Sequence, residues 1–138
     1  MSYADAKAEI VTILEGIDGI KRVYPNPPNT LQDLPCFIIY PAGVEPDDRP
    51  NWPVDLYSVL MRLAAHDSDW DQAAAVIEAK RQLVVTTFRS NKQLGGFATV
   101  ISGPRADPAV QFPYGDRAYL GMDFTLTIRI DDDGTIAP

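Results

Sequence analysis

The sequence predicts an α+β fold: a mixed, largely antiparallel sheet of about four main strands, with two helices packed on one face. One segment alternates apolar and polar residues as a half-buried strand does, and two others have the apolar spacing of helices. The strand needs a cover for its apolar face, which the helices can supply. With 138 residues, 46% of them hydrophobic, we expect a single domain over residues 1–138 with a buried core.

The first element is a helix at the amino-terminal end of the sequence. Apolar residues recur at helical spacing between residues 10 and 17, Ser2 is placed to cap the first turn, and Gly16 is suited to end the helix. These features predict a helix from about Tyr3 to Glu15 or Gly16.

A second, longer helix follows the middle of the chain. Ser68 or Asp69 is the expected cap, and the helix should reach Phe88 or Ser90. Its apolar stripe consists of Trp70, Ala74, Ile77, Val84 and Phe88.

The clearest strand signal covers residues 118–130, where every even position is apolar. At about 3.3 Å per residue this strand would be roughly 40 Å long, so we expect it to be central or to project beyond the sheet. Its apolar positions are Ala118, Leu120, Met122, Phe124, Leu126, Ile128 and Ile130.

Four further strands are predicted. Residues 21–24 form a short one, and residues 34–40 form a buried one because of their aromatic and β-branched content. A long strand over residues 54–65 should pair with 34–40 as a hairpin, and another strand covers 97–102.

Two long loops, at 41–53 and 103–117, are predicted from their proline and glycine content, together with a short acidic tail after residue 130. Long ordered loops in compact domains tend to bind partners. Trp52 offers apolar surface for such a contact, although it could instead fold back on the sheet. The candidate interface residues are Pro46, Asp47, Asp48, Arg49 and Trp52 in the first loop, Phe112 and Tyr114 in the second, and Thr125 on the polar face of the long strand.

No residue pattern indicates catalysis. Cys36, the single cysteine, lies in an apolar run and is interpreted as a buried small hydrophobe. His66 falls at a strand-to-helix junction where aspartate and serine are expected as caps, so metal binding there is the weaker interpretation. We therefore expect no enzymatic activity, no metal and no cofactor.

Charge and the amino-terminal sequence restrict the possible partners. The net charge of −7 argues against a sequence-independent grip on nucleic acid, which needs clustered lysine and arginine. Residues 1–5 lack the pattern of a signal peptide, and no apolar run reaches transmembrane length. A soluble protein made in the cytoplasm, with no membrane partner, is expected.

The order of elements, the Tyr-Pro-Asn-Pro-Pro loop at residues 24–28 and the Tyr-Leu-Gly-Met-Asp-Phe-Thr-Leu-Thr-Ile strand at 119–128 resemble tail-terminator (tail-completion) proteins of long-tailed bacteriophages. The resemblance implies a virion protein that forms a hexameric ring on the finished tail tube and stops its polymerisation. It implies contacts with the tail-tube protein and with a head-completion or connector protein, and DNA passing through the lumen without sequence-specific binding. It assigns no functional residue.

Two alternatives stay open. Within the same class, the chain could be a head-side neck protein or a tail-tube subunit. In a different class, it could be a small ligand-binding domain or enzyme with its pocket between the long loops. The size of the protein in solution distinguishes a ring from a ligand-binding monomer.

Overall fold

The computed structural model describes residues 3–41, 43–46, 54–65, 70–96, 98–115 and 117–131. Over these residues the chain forms two α-helices, one 3₁₀ turn and one mixed sheet of seven strands. In chain order the elements are α1 (Tyr3–Glu15), β1 (Arg22–Tyr24), β2 (Cys36–Ile39), β3 (Gly43–Pro46), β4 (Val54–Ala65), α2 (Trp70–Arg89), the 3₁₀ turn (Leu94–Gly96), β5 (Thr99–Ala106), β6 (Val110–Tyr114) and β7 (Arg117–Asp131).

The sheet is built around β4 and β7, which we call the central ribbon. The two strands pair antiparallel over twelve positions, from Val54 opposite Asp131 to Ala65 opposite Leu120. The strand order is β1-β2-β4-β7-β5, with β3 beside the first part of β4 and β6 beside the first part of β7. β1 and β2 run parallel, whereas the pairs made by β4 and β7 are antiparallel.

Both helices pack on the same face of the sheet, which we call the inner face. The main apolar cluster joins Ile10 of α1 and Ile77 of α2 to Phe37, Met61 and Phe124 of the sheet. All five side chains are fully buried. Removing this much apolar surface from water is the main driving force for the fold. The α+β fold is confirmed, although the sheet has seven strands where about four main ones were expected.

Several predicted boundaries are confirmed. α1 ends at Glu15, directly before Gly16, and the Gly16 amide still donates to the carbonyl oxygens of Thr12 and Ile13, both at 3.2 Å. β4 has the predicted limits, and β7 extends the predicted strand by one residue at each end. The expected cap residues Ser2, Ser68 and Asp69 lie outside the described residues.

The prediction of a loop at 103–117 is wrong. β5 starts at Thr99 and continues to Ala106, and β6 occupies residues 110–114. Prolines within this segment favour a loop, but among the described strands β5 and β6 pair only with β7, and proline is tolerated in strands at a sheet edge. Gly103 permits a tight approach, since a Cβ there would lie 2.5 Å from the Thr125 carbonyl oxygen.

The predicted loop at 41–53 is also shorter than expected. Residues 43–46 form β3, which pairs with the first part of β4 from Gly43 opposite Ser58 to Pro46 opposite Asp55. The long β4 provides more pairing edge than β2 uses, and β3 takes the remainder. Residues 47–53 lie outside the described part of the chain.

Candidate interaction surface

The face of the sheet opposite the helices, here called the outer face, differs between the two ends of the central ribbon. We define the covered end as residues 61–65 with 117–124, and the open end as residues 54–60 with 125–131. Most inner-face residues are buried at both ends, although Asp55 and Tyr57 at the open end and Ala118 and Leu120 at the covered end are only partly buried. On the outer face of the covered end Ala64, Tyr119 and Gly121 are buried, Arg62 and Asp123 are partly exposed and Arg117 is exposed. The outer-face residues of the open end at 56, 58, 60, 125, 127 and 129 are exposed or partly exposed.

A second apolar cluster lies on the outer face at the covered end. Residues 25–35, between β1 and β2, and strand β6 contribute to it, and it includes Cys36 and Ile38 of β2, Ala64 of β4 and Tyr119 of β7. The Tyr24 hydroxyl accepts from the Gln32 amide at 3.0 Å and donates to the Gln32 carbonyl oxygen at 3.1 Å. The remaining members are Leu31, Leu34 and Phe112.

An ion pair between Arg62 and Asp123 borders this cluster. Arg62 Nε and an Nη donate to the two carboxylate oxygens of Asp123 at 2.6 and 3.0 Å, a bidentate arrangement. The other Nη donates to the Tyr40 hydroxyl at 3.4 Å, and the guanidinium lies 4.6 Å from the centroid of the Phe112 ring. The hydrogen bonds that the guanidinium donates to Asp123 raise the pKa of Arg62. Because the guanidinium makes all of these contacts within the chain, we interpret the pair as a structural contact of the sheet.

The open end has a different outer face. Ser58 is exposed, and Thr125 and Thr127 are partly exposed. Leu56 and Leu60 point to the same face, are only partly buried, and belong to neither apolar cluster. Arg129 lies opposite Leu56 on the same face and is also partly exposed. A sheet face that exposes two leucines beside polar residues is typical of a surface that another molecule can cover.

Exposed apolar side chains also mark the sheet edges. Among the described residues, Val44 on β3, Ile101 on β5 and Val110 on β6 are each at least half exposed. Simple strand addition at these edges is disfavoured, because β5 has two register shifts against β7 and contains Pro104, and β3 ends at a proline. Contacts through side chains are therefore favoured over a sheet that continues into another chain.

The predicted interface residues lie in three different settings. Phe112 is 5% exposed and packs under Arg62 and against Tyr119, so it offers little surface to a partner. Tyr114 is half-buried, and its hydroxyl donates to the Pro28 carbonyl oxygen. Thr125 lies on the outer face of the open end, as its strand position predicted. Pro46 is the last residue of β3. Asp47, Asp48, Arg49 and Trp52 lie outside the described residues.

Cys36 and His66 are the two titratable side chains for which the sequence allows a chemical role. Cys36 is fully buried, and burial, with a smaller effect of the Asp33 charge, raises the pKa of its thiol from 9.0 to about 12. His66 falls outside the described residues. Over the part of the chain that the structure describes, histidine, cysteine and carboxylate side chains form no cluster of three or more that could hold a metal ion.

Two features escaped the sequence analysis. The Arg62–Asp123 pair joins residues that are 61 positions apart, and only the strand register brings them together. Opposite charges at polar positions of two long strands were the available signal, but the sequence does not state which positions face each other. Ile101 escaped because a register shift in β5 turns it outward.

Within the described residues, no helix has the length and apolar character needed to cross a membrane. Comparison with known proteins finds no matching family model and no matching curated protein.

Proposed function

We propose that this chain is a structural subunit of a bacteriophage tail: a tail-terminator protein that forms a ring, with six copies, at the head-proximal end of the tail tube. The ring stops tube polymerisation and provides the surface to which the head connector or head-completion protein binds. Its place is the neck of the virion. DNA passes through its lumen without sequence-specific contacts.

The observation that carries this proposal is the outer face of the open end. Leu56 and Leu60 are partly exposed there beside Ser58, Thr125, Thr127 and Arg129 on the central ribbon. Neither of the two described helices packs on this face, so its aliphatic and polar side chains are available to a flat partner surface. An α+β fold with a long central strand also agrees with the resemblance from which the proposal started.

The geometry favours a ring over a two-fold dimer. Closed rings arise when each subunit uses two different patches, one for each neighbour. The chain offers two such regions: the outer face of the open end and the exposed apolar positions at the sheet edges, such as Ile101. The two differ in shape and composition, as a head-to-tail interface requires.

The test is Ser58→Arg, which puts a long charged side chain on the exposed outer face of the open end. We expect the variant to melt like the wild type, to lose the ring in light scattering and negative-stain images, and to fail in joining tails to heads. The matched control is Ala79→Arg on the exposed side of α2, which should keep both the ring and the joining activity.

Other outcomes decide against the proposal. A wild-type protein that is monomeric at all concentrations, and whose melting temperature rises with a small ligand, would indicate a binding domain. Stacks of rings that lengthen with time would indicate a tail-tube subunit. A wild-type ring that binds phage heads but not finished tails would indicate a head-side neck protein.

A further inference from the structure

A surface groove of about 420 Å³ lies between the end of α2 and strand β5, and we call it the α2–β5 groove. Its volume is within the range of ligand-binding clefts. The partly buried Val100 and the half-exposed Ile101 form its apolar part, and the fully buried Phe88 lies beneath them. Arg89 and Lys92 supply two positive charges, and none of the lining residues is acidic.

The two positive charges are not used within the described structure. Neither Arg89 nor Lys92 forms an ion pair with a described carboxylate. They are also not needed to cap α2, since the Thr86 carbonyl accepts from the Ser90 amide at 3.1 Å and the Thr87 carbonyl accepts from the Asn91 side chain at 2.7 Å. In a chain of net charge −7, such a site favours an acidic ligand that also has an apolar group.

A comparison with another groove shows that this combination is not general. The groove beside β1 also contains two cations, Lys21 and Arg22, but Glu15 lines it too. Arg22 in addition forms an ion pair with Asp33 at 3.5 Å. The positive charge there is already compensated, so it gives no comparable attraction for an acidic segment.

A segment with the complementary pattern follows β7 in this same chain. Residues 131–138 read Asp-Asp-Asp-Gly-Thr-Ile-Ala-Pro, so three carboxylates precede one large aliphatic side chain. We infer that the α2–β5 groove binds residues 132–138 of a second copy of this chain. Asp132 and Asp133 pair with the two cations, and Ile136 packs beside Ile101.

The direction of β7 selects a second copy as the source. Val100 lies opposite Ile128 in the sheet, so β7 runs past the groove and ends three residues beyond it, about 10 Å away. To reach the cations of the same copy, Asp132 would have to reverse direction at once. The seven residues after Asp131 can extend about 23 Å, and this length limits how far the groove of the adjacent copy can lie from the end of β7.

This inference rests on the proposed ring, because it requires an adjacent copy. It assigns the contact between neighbours: the segment after β7 of one subunit enters the groove of the next. The contact is head-to-tail, joining two different patches, and such contacts close into rings when the rotation allows it.

The test uses disulfide trapping with full-length chains. Ser102→Cys places a thiol in the groove, and Thr135→Cys places one in the acidic segment. The native Cys36 is buried and, because burial raises its pKa to about 12, stays protonated at about pH 8. After mixing the two single variants and oxidising them, we expect a covalent dimer that contains one of each, and much less product when either variant is oxidised alone.

Charge reversal provides the specificity control. Asp132→Lys with Asp133→Lys should reduce the mixed dimer about tenfold, and adding Arg89→Glu with Lys92→Glu to the Ser102→Cys partner should restore it. Restoration separates pairing of these charges from a general loss of solubility. A reduced yield that the second pair of changes does not restore would overturn the inference.

The remaining outcomes separate this inference from the proposed function. A disulfide that forms only within one chain of the double-cysteine variant means that each copy binds its own segment, and overturns the inference. A ring in light scattering without any mixed dimer overturns the inference alone. A mixed dimer without a ring supports the groove contact and removes the proposed ring, whereas absence of both removes both.

Discussion

The two ends of the central ribbon are alike in the burial of their inner face and differ in the burial of their outer face. On the inner face, Met61 and Phe124 at the covered end are as completely buried as Val59 and Leu126 at the open end. On the outer face, Tyr119 at the covered end is 4% exposed, whereas Ser58 at the open end is exposed. The comparison separates residues that are buried within the fold from residues that the fold leaves accessible.

The difference shows what apolar–polar alternation can and cannot report. Alternation in β7 correctly indicates that one face is buried, because Met122, Phe124 and Ile128 all face the helices. It says nothing about whether the polar positions are solvated. At the covered end those positions include Tyr119 and Gly121, whose sizes fit the second apolar cluster, and at the open end they hold Thr125, Thr127 and Arg129.

The largest expected effect comes from a charge on the inner face. Phe124→Asp puts a carboxylate where the phenylalanine is fully buried, 6.1 Å from the Phe37 ring centroid. We expect a loss of more than about 4 kcal/mol in the free energy of unfolding, because no described cation can pair with it there. Urea denaturation measures the loss.

The matched variant is Thr125→Asp, one residue further and on the outer face. Its carboxylate lies opposite the exposed Arg105, so the unfolding free energy should change by less than about 0.5 kcal/mol. Equal losses at the two positions would contradict the division of β7 into a buried and a partly exposed face.

A second prediction concerns the pH dependence of stability at the covered end. Burial raises the pKa of the Cys36 thiol from 9.0 to about 12, so the folded chain keeps a proton that the unfolded chain releases above pH 9. This contribution is fully present below pH 9 and is lost as the pH rises towards 12. The unfolding free energy should fall by about 2 kcal/mol between pH 9 and 11 from this group, because the unfolded thiol is half ionised at pH 9 and almost fully ionised at pH 11.

Cys36→Ala is the control, and the comparison is between slopes of stability against pH. Tyr3 also has a raised pKa and contributes a similar decline in both proteins, so it cancels in the difference. The raised pKa of Tyr114 comes mainly from burial but depends in part on the Cys36 charge, so the Tyr114 contribution is smaller in the variant. A variant with the same slope as the wild type would mean that solvent reaches the thiol and that the second apolar cluster does not close over it.

Two glycines give a third, smaller contrast between the ends. A Cβ at Gly121 would lie 2.5 Å from Phe112 Cε1 and 3.1 Å from the Leu63 carbonyl oxygen, and Phe112 is held in place by Arg62. Gly121→Ala should therefore destabilise the fold by about 2 kcal/mol through overpacking. A Cβ at Gly43 meets nothing within 4 Å, so Gly43→Ala should change stability by less than about 0.5 kcal/mol.

Thermal melting of both glycine variants measures the contrast. A Gly121→Ala protein as stable as the wild type would show that the Phe112 ring can move aside. That result would reopen the sequence-based proposal that Phe112 contacts a partner.

Much of the fold followed from local pattern. The limits of α1 and β4, the course of β7 and the placement of both helices on one face depend on periodicity, which a single sequence contains. Local pattern does not predict β6, because Pro113 within it suggests a loop. The proline is compatible with a strand only once it is known that, among the described strands, β6 pairs with β7 and no other. Edge position is a property of the assembled sheet.

The candidate surface was less predictable for a related reason. Thr125 was correctly placed on a polar strand face, but the exposure of Leu56 and Leu60 depends on which segments cover the outer face. The covering residues 25–35 and β6 are distant in sequence from the ribbon. Whether these surface residues contact a neighbour stays a prediction.

The smallest expected effect is the coupling between Arg62 and Asp123. The two side chains are 24% and 23% exposed, between the settings of a surface pair and a buried pair. Surface pairs contribute up to about 1 kcal/mol, whereas losing one partner of a buried pair costs more because the other charge is left unpaired. Bidentate geometry and the Tyr40 and Phe112 contacts favour a coupling free energy of about 1 kcal/mol.

A double-mutant cycle with Arg62→Leu and Asp123→Ala measures this coupling through the four unfolding free energies. A second cycle with Arg81→Leu and Glu78→Ala is the control, because that helix pair is about half exposed and should couple more weakly. If both cycles give the same small coupling free energy, the Arg62–Asp123 pair is solvated like a surface pair. Position 123 then belongs to the open end, and the covered end is limited to the part of β7 that pairs with β6.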